Sequence, residues 1–220
     1  MHKLLPVVLA TSFFAFASAR AQAPTAKEHE DPQAVHRSAI VIDTHCDVPQ
    51  WLLDENYDLA TPKPGINVNL ETSQAGNLGA EFFSIWVEPK RYAGHYAQRA
   101  FDLIDSVYRQ AEKHPDRMVI AVSADDVVRA RSGPQKRLAA LIGIEGGHAI
   151  QNDLHLLRDF YRLGVRYMTL TWSNTNDWAD SSGDITKPEV KHHNGLTPFG
   201  EEVVREMNRL GMMVDISHVS

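Results

Sequence analysis

The chain is poor in thiols, in runs of positive charge and in long apolar stretches, and each shortage removes a class of function. One cysteine, Cys46, among 220 residues excludes an internal disulfide and a thiolate cage, so a metal held here must use histidines and carboxylates. No run of Lys or Arg stands out and the formal net charge is -6, which argues against nucleic acid or an anionic membrane surface as partner. No Gly-x-Gly-x-x-Gly follows the first strand-like stretch and no Gly-Lys-Ser/Thr loop occurs, so both common nucleotide-binding readings lose support. No short-period repeat is visible. The apolar stretch near the amino terminus falls short of the ~20 residues that a membrane span needs.

What is present is ordinary for a soluble globular protein, 43% hydrophobic and 23% charged, with a length that admits one or two domains. Lys3, a mostly apolar run with Phe13, Phe14 and Phe16, and the small residues of Ala21-Gln22-Ala23 form a secretory signal peptide over residues 1–23. The mature portion, residues 24–220, is then expected outside the cell or in the periplasm. Residues 24–33 are polar and read as a flexible lead-in.

Apolar runs of strand length alternate with helical patterns along the rest of the chain. Strands are expected at residues 39–47, 79–87, 137–145, 165–171 and 212–218, with a further short apolar run at 118–122. Helices are expected over 95–113, with Ala100, Leu103, Ile104 and Val107 on one face, and over 153–163, stopped at Gly164. Two more begin at Ser123, with Asp125 and Asp126 in the first turn, and at Thr197-Pro198, ending at Gly211. A stretch around 48–53 starts a short helix or loop. Residues 172–196 form a long polar segment of the kind that is usually functional. This alternation defines an α/β fold with a parallel sheet.

Chemistry concentrates where strands end. In Asp43-Thr44-His45-Cys46-Asp47 the alternation of strand side chains puts His45 and Asp47 on one side, together with Asp43, and turns Cys46 the other way into the core. Imidazole and carboxylate are suitable metal ligands. Glu145 and His218 close two later strands. In a (β/α)8 barrel such ends converge on one site, and that convergence favours a metal centre over unrelated strand termini. His148, beyond the Gly146-Gly147 turn, reads as structural. His192 and His193 read as solvated, and Asp180 and Asp184 as ordinary loop carboxylates.

These motifs, together with Tyr167-Met168-Thr169-Leu170-Thr171, Trp178-Ala179-Asp180, Gly195-Leu196-Thr197-Pro198-Phe199-Gly200 and Asp215-Ile216-Ser217-His218-Val219-Ser220, give a chain that resembles the membrane dipeptidase (renal dipeptidase) family of zinc metallopeptidases. The resemblance implies a TIM-like (β/α)8 metallo-dependent hydrolase barrel, here truncated after about five strands. It also implies two Zn2+ ions, with His45 and Asp47 on the first, Glu145 bridging and His218 on the second. Small dipeptides are the implied substrate, and the assembly is left open to a homodimer. Where many members carry a substrate-contacting His, this chain has Trp172, which donates one N–H and shuttles no proton; Asn174 or Asn176 could stand in only in part. A further His, an Arg and a proton-transferring Asp that the family supplies would lie beyond Ser220, so the 220 residues by themselves are expected to be inactive. Competing readings are a related amidohydrolase acting on another amide such as a β-lactam, and a non-catalytic relative.

Overall fold

A computed structural model describes residues 31–220; the proposed signal peptide lies outside them. The first element, α1 (Pro32–Ser38), starts where Asp31 accepts the Gln33 N–H and Pro32 occupies the first turn. It occupies the end of the expected lead-in, because a capping carboxylate followed by proline nucleates a helix even without an apolar face. Then follow β1 (Val41–Cys46), α2 (Val48–Asp54), α3 (Leu70–Ala75), β2 (Leu78–Trp86), α4 (Tyr96–Lys113) and β3 (Met118–Ile120). The second half comprises α5 (Ala124–Ser132), β4 (Leu138–Glu145), a 3-10 turn (Gly147–Ile150), α6 (Leu154–Arg162), β5 (Val165–Thr169), α7 (Pro198–Leu210) and β6 (Met213–Asp215).

All strands are parallel, in the order β1-β2-β4-β5-β6, with β3 paired to the start of β4. The sheet forms a parallel half-barrel. Every residue of β4 is buried, as expected of a central parallel strand covered on both faces. On the outer face Phe83, Ile85, Ile142 and Ile144 pack against Leu103 and Val107 of α4, Leu157 and Phe160 of α6 and Val203 of α7. Each such side chain, fully buried, stabilises the fold by roughly 1.5–3 kcal/mol. On the inner face lies a smaller cluster that includes Phe82, Leu141 and Tyr167. Glycine makes that face possible: a Cβ at Gly143 would stand 2.0 Å from the Tyr167 ring.

Two expectations about strands are corrected. The last strand ends at Asp215, so His218 stands in the turn beyond it, with φ 69. In β1, three steps from Asp43 to Cys46 match two steps from Glu81 to Phe83 on β2. This bulge breaks the alternation. Thr44 and His45 both line the inner cavity, Cys46 packs into the outer core, and Asp43 pairs opposite Glu81 while its Oδ1 accepts the His45 backbone N–H at 3.3 Å.

Candidate metal centre

The half-barrel carries Glu145 to the carboxyl end of its central strand, 6% exposed. Its two oxygens face different partners. Oε2 accepts from Ser84 Oγ at 3.0 Å and lies 3.4 Å from His45 Nε2. Oε1 lies 2.8 Å from His218 Nε2. His45 Nε2 is also 3.4 Å from Asp47 Oδ1, and one ligand atom each from His45, Asp47 and Glu145 lie within 4.8 Å of one another. All four expected residues therefore meet, divided between the two oxygens of one buried carboxylate.

Local chain chemistry fixes each of these side chains. Asp47 is the residue before α2, and its carbonyl accepts the Gln50 N–H at 3.2 Å. His45 Nδ1 lies 3.3 Å from the Tyr167 hydroxyl, so Nε2 is left for the site. The hydrogen bond to Asp47 raises the His45 pKa against the opposing effect of burial, with Glu145 adding to the rise. The same bond lowers that of Asp47 against burial, and the Trp86 indole contributes in the same direction. Burial, with Glu145 and Asp215 nearby, pushes the Tyr167 phenol far up, so it stays protonated.

His218 is placed by the long segment after β5. Ser182 N–H donates to the His218 carbonyl at 2.8 Å, and the Ser181 and Ser182 hydroxyls donate to it at 3.2 and 3.0 Å. The segment is built around Asp180. This carboxylate, 3% exposed, accepts the His193 and Gly195 N–H groups, which outweigh burial and lower its pKa. Asp184 is likewise buried and accepts the Thr175 N–H at 2.7 Å. The expectation of ordinary loop carboxylates is corrected for both: Asp180 gathers backbone donors, Asp184 takes the Thr175 N–H and the Lys187 ammonium at 2.6 Å, and such buried acceptors organise a loop that lacks an apolar core. His193 is tied in as well, through Nε2 to the Asn176 carbonyl at 2.9 Å. Asn176 Oδ1 accepts the Trp178 and Ala179 N–H groups and its Nδ2 donates to the Leu170 carbonyl, so one amide N–H is all that its side chain has left to offer. His148 is structural, its Nε2 2.8 Å from the Val87 carbonyl.

Trp172 is half-buried and stacked on Trp86 at 5.4 Å with planes 13° apart. Beside His45, Glu145 and His218 lies a cavity of about 540 Å³, lined also by Thr169, Asp215 and Tyr167. Tyr167, Ser84 and Asp215 had no assigned role in the sequence. Their only signal was an inward position at or near a strand end. The donor set, two imidazoles with carboxylates and no thiolate, fits divalent ions of borderline hardness. The divided carboxylate of Glu145 fits two of them.

Comparison with known proteins identifies the family. The model of the membrane dipeptidase family (peptidase family M19) matches residues 29–220, and the chain belongs to that family. It is 36% identical to dipeptidase 3 of Mus musculus over 197 residues, covering 87% of this chain and 38% of the mouse protein. It is 44% identical to dipeptidase tcpJ of Claviceps purpurea over 163 residues, covering 70% and 37%. The chain thus spans well under half the length of these relatives. Among solved structures it superposes on the probable dipeptidase PvdM of Pseudomonas aeruginosa with a TM-score of 0.73 at 21% identity, covering 86% and 49%. A metallopeptidase of Rhodobacter sphaeroides, solved with a phosphinate mimic of the dipeptide L-Ala-D-Ala, gives 0.67 at 22% identity, covering 82% and 59%.

Proposed function

We propose that the full-length protein containing this chain is an exported zinc dipeptidase with a binuclear site. The observation that carries this reading is Glu145, buried, with one oxygen toward His45 and the other toward His218. His45 and Asp47 would hold the first ion, Glu145 both, and His218 the second. Bound there, the ions would lower the pKa of a shared water and polarise the scissile carbonyl. The chain's own residues do the positioning. Ser84 fixes the Glu145 carboxylate, the Tyr167 hydroxyl orients His45, and the Ser181–Ser182 pair holds the His218 backbone. Trp172 and Trp86 form an aromatic wall beside Asp47 that would contact the substrate where other members place a histidine. Small dipeptides as substrates are supported by the dipeptidase names of the relatives and by the dipeptide mimic bound in the Rhodobacter sphaeroides structure. Export rests on the leader sequence.

The test is hydrolysis of a dipeptide panel by the full-length protein, before and after chelation and after zinc is restored. Turnover that is lost with chelation and regained with zinc is the expected result. A protein that cleaves no dipeptide, or prefers a β-lactam to every member of the panel, would overturn the assignment.

A further inference from the structure

The amino-terminal end of the sheet, opposite the metal residues, holds a second cavity of about 530 Å³. Three cations frame it: Arg117 just before β3, Arg131 near the end of α5, and Lys136 in the loop before β4. Among the described residues none of the three takes part in an ion pair. The lining contains one carboxylate, Asp116. A local excess of positive charge in a chain of net charge -6 calls for a partner that brings negative charge.

The cavity is built, not merely decorated with surface cations. Asn77, at φ 55, donates to the His36 and Ala39 carbonyls and accepts from Arg131 Nη2 at 2.7 Å. That contact fixes one edge of the guanidinium. Gly79 leaves room for it, since a Cβ there would lie 3.2 Å from Arg131 Nε. Burial draws the Arg131 pKa below its ordinary value, as befits a guanidinium short of compensating charge. Ser73, 5% exposed, belongs to the lining as well, and its buried hydroxyl has no hydrogen-bond partner. Leu70, Leu78 and Leu138 give the cavity an apolar side.

We propose that this cavity binds a small organic phosphate monoester. Three cations arriving from separate elements match a dianionic, three-oxygen headgroup better than a planar, singly charged carboxylate. The leucines accept the organic body, and the volume is that of a small-molecule site. This site is independent of the metal centre and of the peptidase reading.

Calorimetric titration of the metal-loaded full-length protein tests it, with phenyl phosphate, inorganic phosphate and benzoate as probes in low salt. Phenyl phosphate should bind more tightly than inorganic phosphate and at least about tenfold more tightly than benzoate. Arg117→Gln with Lys136→Gln should weaken it about tenfold or more, because each lost charge-assisted contact matters most in a partly buried site. Neither side chain makes a hydrogen bond among the described residues, so the double variant is expected to fold. If it does not, acetylation of Lys136 in the wild-type protein reads the same site. Phenyl phosphate should slow that reaction and leave Lys113, paired with Asp58, unaffected. Wild-type affinity in the double variant would place the anion at the metal centre, and it would overturn the proposal. So would the absence of phenyl phosphate binding, or equal acetylation rates with and without it.

Discussion

Glu81 is the residue least at ease in the fold. It has no exposed surface, and neither carboxylate oxygen has a hydrogen-bond partner. Burial, with Asp43 opposite, raises its pKa from 4.5 to about 8. The folded state therefore holds this proton more tightly than the unfolded chain, so this group's own effect on stability is most favourable below pH 4.5 and worsens as pH rises toward 8, by about 1.4 kcal/mol per pH unit. Glu81→Gln keeps the shape and removes the titration. In the full-length protein, urea unfolding should show the variant more stable than wild type at pH 8, with the gap closing toward pH 5; an unchanged pH profile would contradict this account. At the site mouth, Trp172→His should change kcat/KM for dipeptides, since one hydrogen bond to a developing oxyanion is worth about 3 kcal/mol. Identical kinetics across the panel would remove Trp172 from the substrate's path. That His45, Asp47, Glu145 and His218 would come together was legible because residues of ligand type stood at or just beyond strand ends within recognisable motifs. That Thr44 and His45 both face the cavity was not, because a bulge in β1 breaks the alternation and no periodic pattern announces it.

Elements with chemical punctuation were readable from sequence alone. Thr197 with Pro198 starts α7 and Gly211, at φ 78, ends it; Ser123 caps α5; Asp153 caps α6. α3 was missed because Glu71, Thr72, Ser73 and Gln74 carry little apolar signal. Its capping box between Asn69 and Thr72 uses a threonine where the usual pattern has Glu or Gln. Within the segment 172–196, the polarity that marked a long loop also concealed its order, which comes from backbone donors gathered on Asp180. Asp180→Ala would strand those donors, at about 1–3 kcal/mol for each left buried. Because the same segment grips the His218 carbonyl, metal at the His218 side should weaken more than metal at the His45 side, as read by stepwise zinc titration. Equal weakening at both would show that the loop does not position His218. In β4, Gly143→Ala would force the Tyr167 ring out of its place and cost about 1–3 kcal/mol of stability; unchanged thermal unfolding would refute the tight approach.

At the scale of the molecule, the described residues form a parallel sheet with β1 and β6 at its edges and apolar side chains exposed beside them, Ile42 at 50% and Met213 at 52%. Among these residues no helix is long and apolar enough to cross a membrane. Unpaired parallel edges with an apolar face are an aggregation hazard, and closed barrels of this class use eight strands. Residues 24–220 expressed alone with zinc should therefore give an insoluble or loosely packed product without dipeptide turnover; cooperative unfolding with turnover like that of a full-length relative would contradict this. The central claim, that one buried carboxylate spans two ions, has a more direct test in the metal content of the purified full-length protein. Elemental analysis should find two zinc ions per chain in wild type, close to none in Glu145→Ala, and an intermediate value in Asp47→Ala. Two ions retained at full occupancy in Glu145→Ala would contradict the account.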